Sequence, residues 1–188
     1  MTAARLKLTL ILAGVVTAGL VLLAWTQAWF VLVLVDGTEL SVSGQAAAPA
    51  LSALGLASLA LVAALAIAGP RVRIVLGVVE LAIGAFTVVV AANTLAHPLL
   101  ASASTVTGAT AVSGPDSIAA VVSQLTTSAW PGAAVAAGAL TALVGIAVLA
   151  TGRRWPGPTK KYETRGDDNT GTPVGAWDSL SDGSDPTR

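Results

Sequence analysis

Between Leu8 and Gly152 the chain runs for 145 residues with only six charged side chains: Asp36, Glu39, Arg71, Arg73, Glu80 and Asp116. An ordinary soluble domain carries roughly 25% charged residues, so this stretch cannot cover a water-facing surface. The other fourteen charges crowd into the extreme N-terminus and the segment after Gly152. Such a distribution excludes soluble enzymes and nucleic-acid-binding proteins and makes lipid the solvent for most of the chain. The sequence contains no cysteine, which removes disulfides, iron–sulfur clusters and thiolate zinc sites. Its net charge of zero averages segments that face different solvents and says little about partners.

Four apolar runs are long enough to cross a hydrocarbon core, which takes about 20 helical residues. They are 8–24, 49–68, 74–96 and 130–150, each rich in Leu, Val and Ala without the alternation of membrane strands. Pro49 and Pro131 stand at run starts, where a missing N–H costs nothing, and Gly69-Pro70 and Gly152 mark run ends. All ten Lys and Arg fall in three places: Arg5 and Lys7, Arg71 and Arg73, and the six after Gly152. The loops 25–48 and 97–129 have none. With an even number of spans, the positive-inside rule puts those three segments and both termini in the cytoplasm. The first run exceeds the usual apolar core of a cleaved signal peptide, so it reads as a retained span. Trp25, Trp29, Trp130 and Trp155 flank the runs and read as interface anchors. The expected fold is an all-α membrane protein: a four-transmembrane-helix bundle over residues 1–152, both termini cytoplasmic, with a small outer cap.

The cap is where strands are expected. Residues 29–35 read WFVLVLV, followed by Asp36-Gly37 and then TELSVSG. Asp-Gly between β-prone runs predicts a hairpin lying on the membrane surface. In the second outer loop, residues 116–125 read as a short amphipathic helix behind Gly114-Pro115, capped by Ser117.

Chemistry-bearing residues are few. Glu80 is the one ionisable group deep in a span, seven residues beyond Arg73 and on roughly the same helix face. An intramembrane carboxyl is costly enough to suggest a proton or cation site. The alternative is that it snorkels to the interface and pairs with Arg71 or Arg73. Asn93 and His97 share a helix face and suit interhelical hydrogen bonding or anchoring, since two such ligands are too few for a metal. No Ser-His-Asp set, H-E-x-x-H motif, Walker loop or carboxylate pair is present, so no catalytic residue, metal or cofactor is expected. Small residues form stripes: Gly77, Gly84 and Ala91, then Gly138 and Gly145 with Ala134 and Ala142. Stripes of this kind let helix backbones approach closely and predict a tight bundle.

Residues 153–188 change character, with six basic residues, six acidic residues and four prolines. This composition predicts a disordered cytoplasmic tail. Val174, Trp177 and Leu180 recur at i, i+3 and i+6, the pattern of a linear motif that folds on a partner. The expected partner-binding set is Trp177, Asp178, Leu180, Gly183, Asp185 and Pro186. The alternative use of Trp177 is to rest on the lipid interface.

An N-terminal span runs into Trp25-Thr26-Gln27-Ala28-Trp29, followed by Leu40-Ser41-Val42-Ser43-Gly44-Gln45. Pro49 opens the second span and Trp130-Pro131 the fourth, and the tail closes with Trp177-Asp178-x-Leu180-x-x-Gly183-x-Asp185-Pro186-Thr187. In these features the chain resembles the actinobacterial tryptophan-associated transmembrane proteins over essentially its whole length. The resemblance implies an integral plasma-membrane protein and supplies no catalytic residues. Three functions are then in play. The first is a scaffold or accessory subunit recruiting a cytoplasmic protein through residues 174–188. The others are a small-solute transporter or transport accessory, working as a homo-oligomer or within a larger membrane complex, and an outward-facing envelope-interaction protein.

Overall fold

The computed structural model describes residues 2–155 of the chain. In order these are α1 (Ala3–Thr26), β1 (Ala28–Leu34), β2 (Glu39–Ser43), α2 (Gly44–Ala47), α3 (Ala50–Ile67), α4 (Pro70–Ala96), α5 (Pro98–Thr110), α6 (Pro115–Val121), β3 (Val122–Thr127) and α7 (Trp130–Thr151), closed by a 3-10 turn at Gly152–Arg154. The helices α1, α3, α4 and α7 are long and apolar enough to cross a membrane. They fall on the four expected runs. α1 is longer at both ends, and α4 begins at Pro70, where the proline serves as a first-turn residue.

Packing contacts link α1 with α3, α3 with α4, α4 with α7 and α7 back to α1, forming a closed ring in which neighbours run antiparallel. The buried stripe of α4 is Arg73, Gly77, Glu80, Gly84, Thr87, Ala91 and Thr94, stepping by four and three residues. That alternation keeps one seam of the helix facing its neighbours over about 30 Å. α7 answers with Ala134, Gly138, Thr141, Gly145 and Val148. Where the stripes meet, the backbones touch. A Cβ on Gly84 would come within 2.7 Å of Ala142 Cα and 2.8 Å of the Gly138 carbonyl oxygen. One on Gly145 would lie 2.8 Å from Leu81 Cα. Only hydrogen fits at either place.

The remaining elements gather at one end of the bundle. β1 and β2 form the expected hairpin, antiparallel with Leu32 opposite Leu40 and Phe30 opposite Val42. Its turn closes through Leu34 N–H donating to the Thr38 carbonyl at 2.9 Å. Gly37 takes φ +85°, a conformation that favours glycine, and the Thr38 N–H donates to Asp36 Oδ1 at 2.9 Å. A third strand is also present. β3 pairs antiparallel with the other side of β1, Leu125 opposite Leu32 and Thr127 opposite Phe30, giving the order β2-β1-β3.

Two expectations for the second loop are corrected here. The short helix is Pro115–Val121, capped by Gly114 at φ +95° rather than by Ser117, and residues from Val122 onward leave the helix for the sheet. Before it, Pro98–Thr110 forms a helix where no regular structure was expected, ending on Ala111 in the left-handed region. The free side of β1 decides the first change. Val122, Thr126 and Thr127 suit a pleated surface, and the ladder with β1 satisfies backbone groups that a longer helix would leave at its end.

One face of the sheet carries Phe30, Leu32, Leu34 and Val42, all buried, while Val31, Ser41, Gln124 and Thr126 on the other are exposed. The buried face packs on Val21 and Ala24 of α1, Leu51 of α3, Ala91 of α4 and Ala134 and Ala137 of α7. The buried face therefore shares one apolar core with the adjoining turns of the four long helices and with Val106 of α5 and Ile118 of α6. A second apolar cluster, Leu61, Leu65, Val144, Val148 and Trp155, occupies the opposite end.

Candidate functional site

Between the two apolar clusters each long helix turns a polar side chain inward: Thr17 on α1, Ser58 on α3, Glu80 on α4 and Thr141 on α7, all buried. Cross-helix contacts fix their levels. Gly14 abuts Val62 and Val144, and Gly55 abuts Val21 and Leu22. These contacts put Thr17 level with Ser58 and Thr141 across their antiparallel neighbours. Thr17 and Thr141 turn their hydroxyls back onto their own helices, donating to the carbonyls of Gly14 and Ala137 at 3.1 and 3.0 Å. Such back-bonding satisfies the hydroxyl without a partner helix.

Ser58 acts differently. Its Oγ donates to Glu80 Oε1 at 2.7 Å, a buried bond from α3 to α4. Glu80 is fully enclosed, its other oxygen Oε2 has no hydrogen-bond partner, and among the described residues it makes no ion pair. Ser58 stands halfway along α3. The carboxyl therefore sits in the middle of the bundle and does not rise to the rim to meet Arg71 or Arg73. Helix phase explains this: Glu80 occupies the inward seam of α4, with Gly77 and Gly84 on either side. A hydrogen bond between a hydroxyl and a carboxyl group is strengthened where no water competes. This contact clamps α3 to α4. Ser58 was not singled out in the sequence; its only signal is a hydroxyl in the middle of an apolar run whose other hydroxyl, Ser52, lies near its start.

Arg73, two turns along the same seam, is equally buried and belongs to the end of the bundle opposite the sheet. Its Nη1 donates to the carbonyls of Gly152 at 3.3 Å and Trp155 at 3.2 Å, and the guanidinium stacks 5.4 Å from the centroid of the Trp155 ring. The Trp155 indole N–H donates to Thr151 Oγ1 at 3.2 Å. Arg73 thereby holds the chain as it leaves α7. Lys7 Nζ donates to the Ala66 carbonyl at 2.7 Å, so it too lies at this end. Of the four tryptophans read as interface anchors, Trp29 and Trp155 are enclosed by protein, and Trp25 and Trp130 are half-buried. Trp29 donates its indole N–H to the Ala24 carbonyl at 2.7 Å and sits edge-on to Phe30, inside the cap.

At the sheet end Asn93 and His97 are both exposed, and the His97 ring bonds the Asn93 backbone carbonyl at 3.1 Å. A groove of about 880 Å³ opens beside them, walled by Pro98, Leu100, Ala103, Pro115 and Ile118. The Thr38 N–H bond lowers the pKa of Asp36 in the hairpin turn below the usual carboxylate range. Among the described residues no three His, Asp or Glu side chains converge as metal ligands. The expected partner-binding set, Trp177, Asp178, Leu180, Gly183, Asp185 and Pro186, lies outside the described residues.

Compared with known proteins, the chain matches no curated protein and no solved structure. One family model, described as tryptophan-associated transmembrane protein, matches it over residues 11–187.

Proposed function

Because the chain belongs to the tryptophan-associated transmembrane protein family, we propose that this multi-pass membrane protein is a non-enzymatic scaffold or accessory subunit, whose bundle anchors a partner-recruiting tail. The observation that carries the reading is the extent of the match. It continues past the last membrane helix to residue 187, so the tail belongs to the family's pattern as much as the spans do. The bundle supports it from the other side. Backbone-to-backbone packing of α4 on α7 and the Glu80–Ser58 clamp suit a rigid anchor.

Charge supports an orientation in the plasma membrane with both termini cytoplasmic. Helix directions gather Arg5, Lys7, Arg71, Arg73, Arg153 and Arg154 at one end, and the sheet end carries Asp36, Glu39 and Asp116. Trp177, Leu180 and Asp185 would then offer a cytoplasmic protein an aromatic anchor, an aliphatic contact and a charge. A photo-crosslinking residue at position 177 in cells tests this, with Leu180→Ala plus Asp185→Ala as the control. One dominant captured protein, lost in the control, is expected. Capture of lipid alone, or of nothing, refutes tail recruitment.

A second reading, handling of a small solute, is favoured by one observation: the buried Glu80 Oε2 without a partner. Equal tryptophan uptake and efflux in cells with and without the protein would remove tryptophan as that solute.

A further inference from the structure

The sheet has two edges, and the chain treats them differently. β2 lies against α2 and α5 and begins with the charged Glu39. β3 runs Val122-Ser123-Gln124-Leu125-Thr126-Thr127 with no charge and no proline, and four of its six residues are exposed. Apart from its ladder to β1, the backbone bonds in this region are those of its flanks. Val121 carbonyl accepts from Val35 N–H, and Ser128 N–H donates to the Trp29 carbonyl. Half the N–H and C=O groups of an edge strand point away from its partner. Proteins usually blunt such an edge with Lys, Pro, a charge or a covering element, because an open one templates pairing with another chain.

We infer that β3 is a homodimerisation edge, pairing antiparallel with β3 of a second copy to make one continuous six-stranded sheet. Two observations select a second copy as the occupant. First, the strand is neutral along its whole length, so laying it against itself opposes no like charges. Second, the acidic residues of this end, Asp36, Glu39 and Asp116, all lie outside β3. Sharing a bilayer also reduces the orientational freedom lost on association.

The chain has no cysteine, so single cysteines can be introduced without background. Ser123→Cys, Gln124→Cys, Leu125→Cys and Thr126→Cys would each be placed in the full-length protein and oxidised in native membranes. A disulfide-linked dimer is expected, strongest at one position and weaker on either side, as a two-fold axis requires. Ser41→Cys on β2 and Phe86→Cys on the outward side of α4 should give little. No dimer at any β3 position, or equal dimer at Ser41 or Phe86, overturns the inference.

Charge reversal supplies a second readout through differently tagged copies. Gln124→Lys plus Thr126→Lys should lower self-association about fivefold at unchanged abundance. Pairing that variant with Gln124→Glu plus Thr126→Glu should restore it. Failure of the mixed pair to recover, with both variants inserted at normal level, also overturns the inference.

Discussion

Gly84→Ala adds one methyl group, and the structure says what that methyl meets. The new Cβ would lie 2.7 Å from Ala142 Cα and 2.8 Å from the Gly138 carbonyl oxygen, and would press on the Ala142 amide nitrogen. Carbon atoms in ordinary contact sit about 3.5–4.0 Å apart, so α7 must retreat from α4 by roughly 1 Å. The obstacle is backbone, which no rotamer change can move. A gap of that size forfeits a quarter to a half of each contact's dispersion energy along the seam, and overpacking typically costs about 1–3 kcal/mol. Alanine returns up to about 1 kcal/mol as the better helix former. The net expectation is a loss of about 1–2 kcal/mol. Gly19→Ala is the matched control, because its Cβ would meet nothing within 4 Å. It keeps the propensity gain and should be neutral or stabilising. Reversible unfolding of the purified protein in mixed micelles, followed by tryptophan fluorescence, measures both. Gly84→Ala as stable as the parent, or Gly19→Ala equally damaged, would refute backbone contact as the basis of the α4–α7 seam.

Gly14→Ala meets a side chain instead, Val62 Cγ2 at 2.6 Å, so its loss should be largely recovered by adding Val62→Ala; no recovery in the same assay would contradict the placement. Ser58→Ala leaves both Glu80 oxygens without a partner and should cost about 1–3 kcal/mol, whereas Glu80→Gln keeps an acceptor for Ser58 and should cost less. Equal effects would refute the clamp. Arg73→Met removes the hydrogen bonds to Gly152 and Trp155 and should increase quenching of Trp155 fluorescence, read in a variant retaining only that tryptophan; unchanged quenching would show that Arg73 does not hold this segment. Asp36 binds the Thr38 N–H best when ionised, so its folded pKa lies below the ordinary 3.8. The turn's stabilisation is then present above that value and lost as pH falls through the lowered one. Amide NMR should show the Thr38 N–H resonance shifting toward that of an unbonded amide on acidification, and Asp36→Asn should remove that dependence. A pH-dependent shift of the same size in the Asn variant would count against it.

Composition and charge placement alone determined the four long helices, since a run of Leu, Val and Ala that long has no soluble way to satisfy its backbone. Asp36-Gly37 likewise determined the hairpin, because the turn's backbone conformation is set locally by Gly37 and the Asp36 side chain. The stripe of Gly77, Gly84 and Ala91 indicated close approach, but only the assembled bundle names Ala142 and Gly138 as what Gly84 meets. Tertiary structure decided what depends on a distant neighbour. Residues 122–127 became a strand because β1, nearly a hundred residues earlier, presents an unpaired side to them. Glu80 stands mid-bundle because helix phase points it at Ser58 on another helix, a relation that distance along α4 cannot express. Trp29 and Trp155 look like interface residues by position, yet the folded chain encloses both. Local sequence fixes which backbone conformations are cheap, and packing between remote segments fixes which side chains are left facing inward.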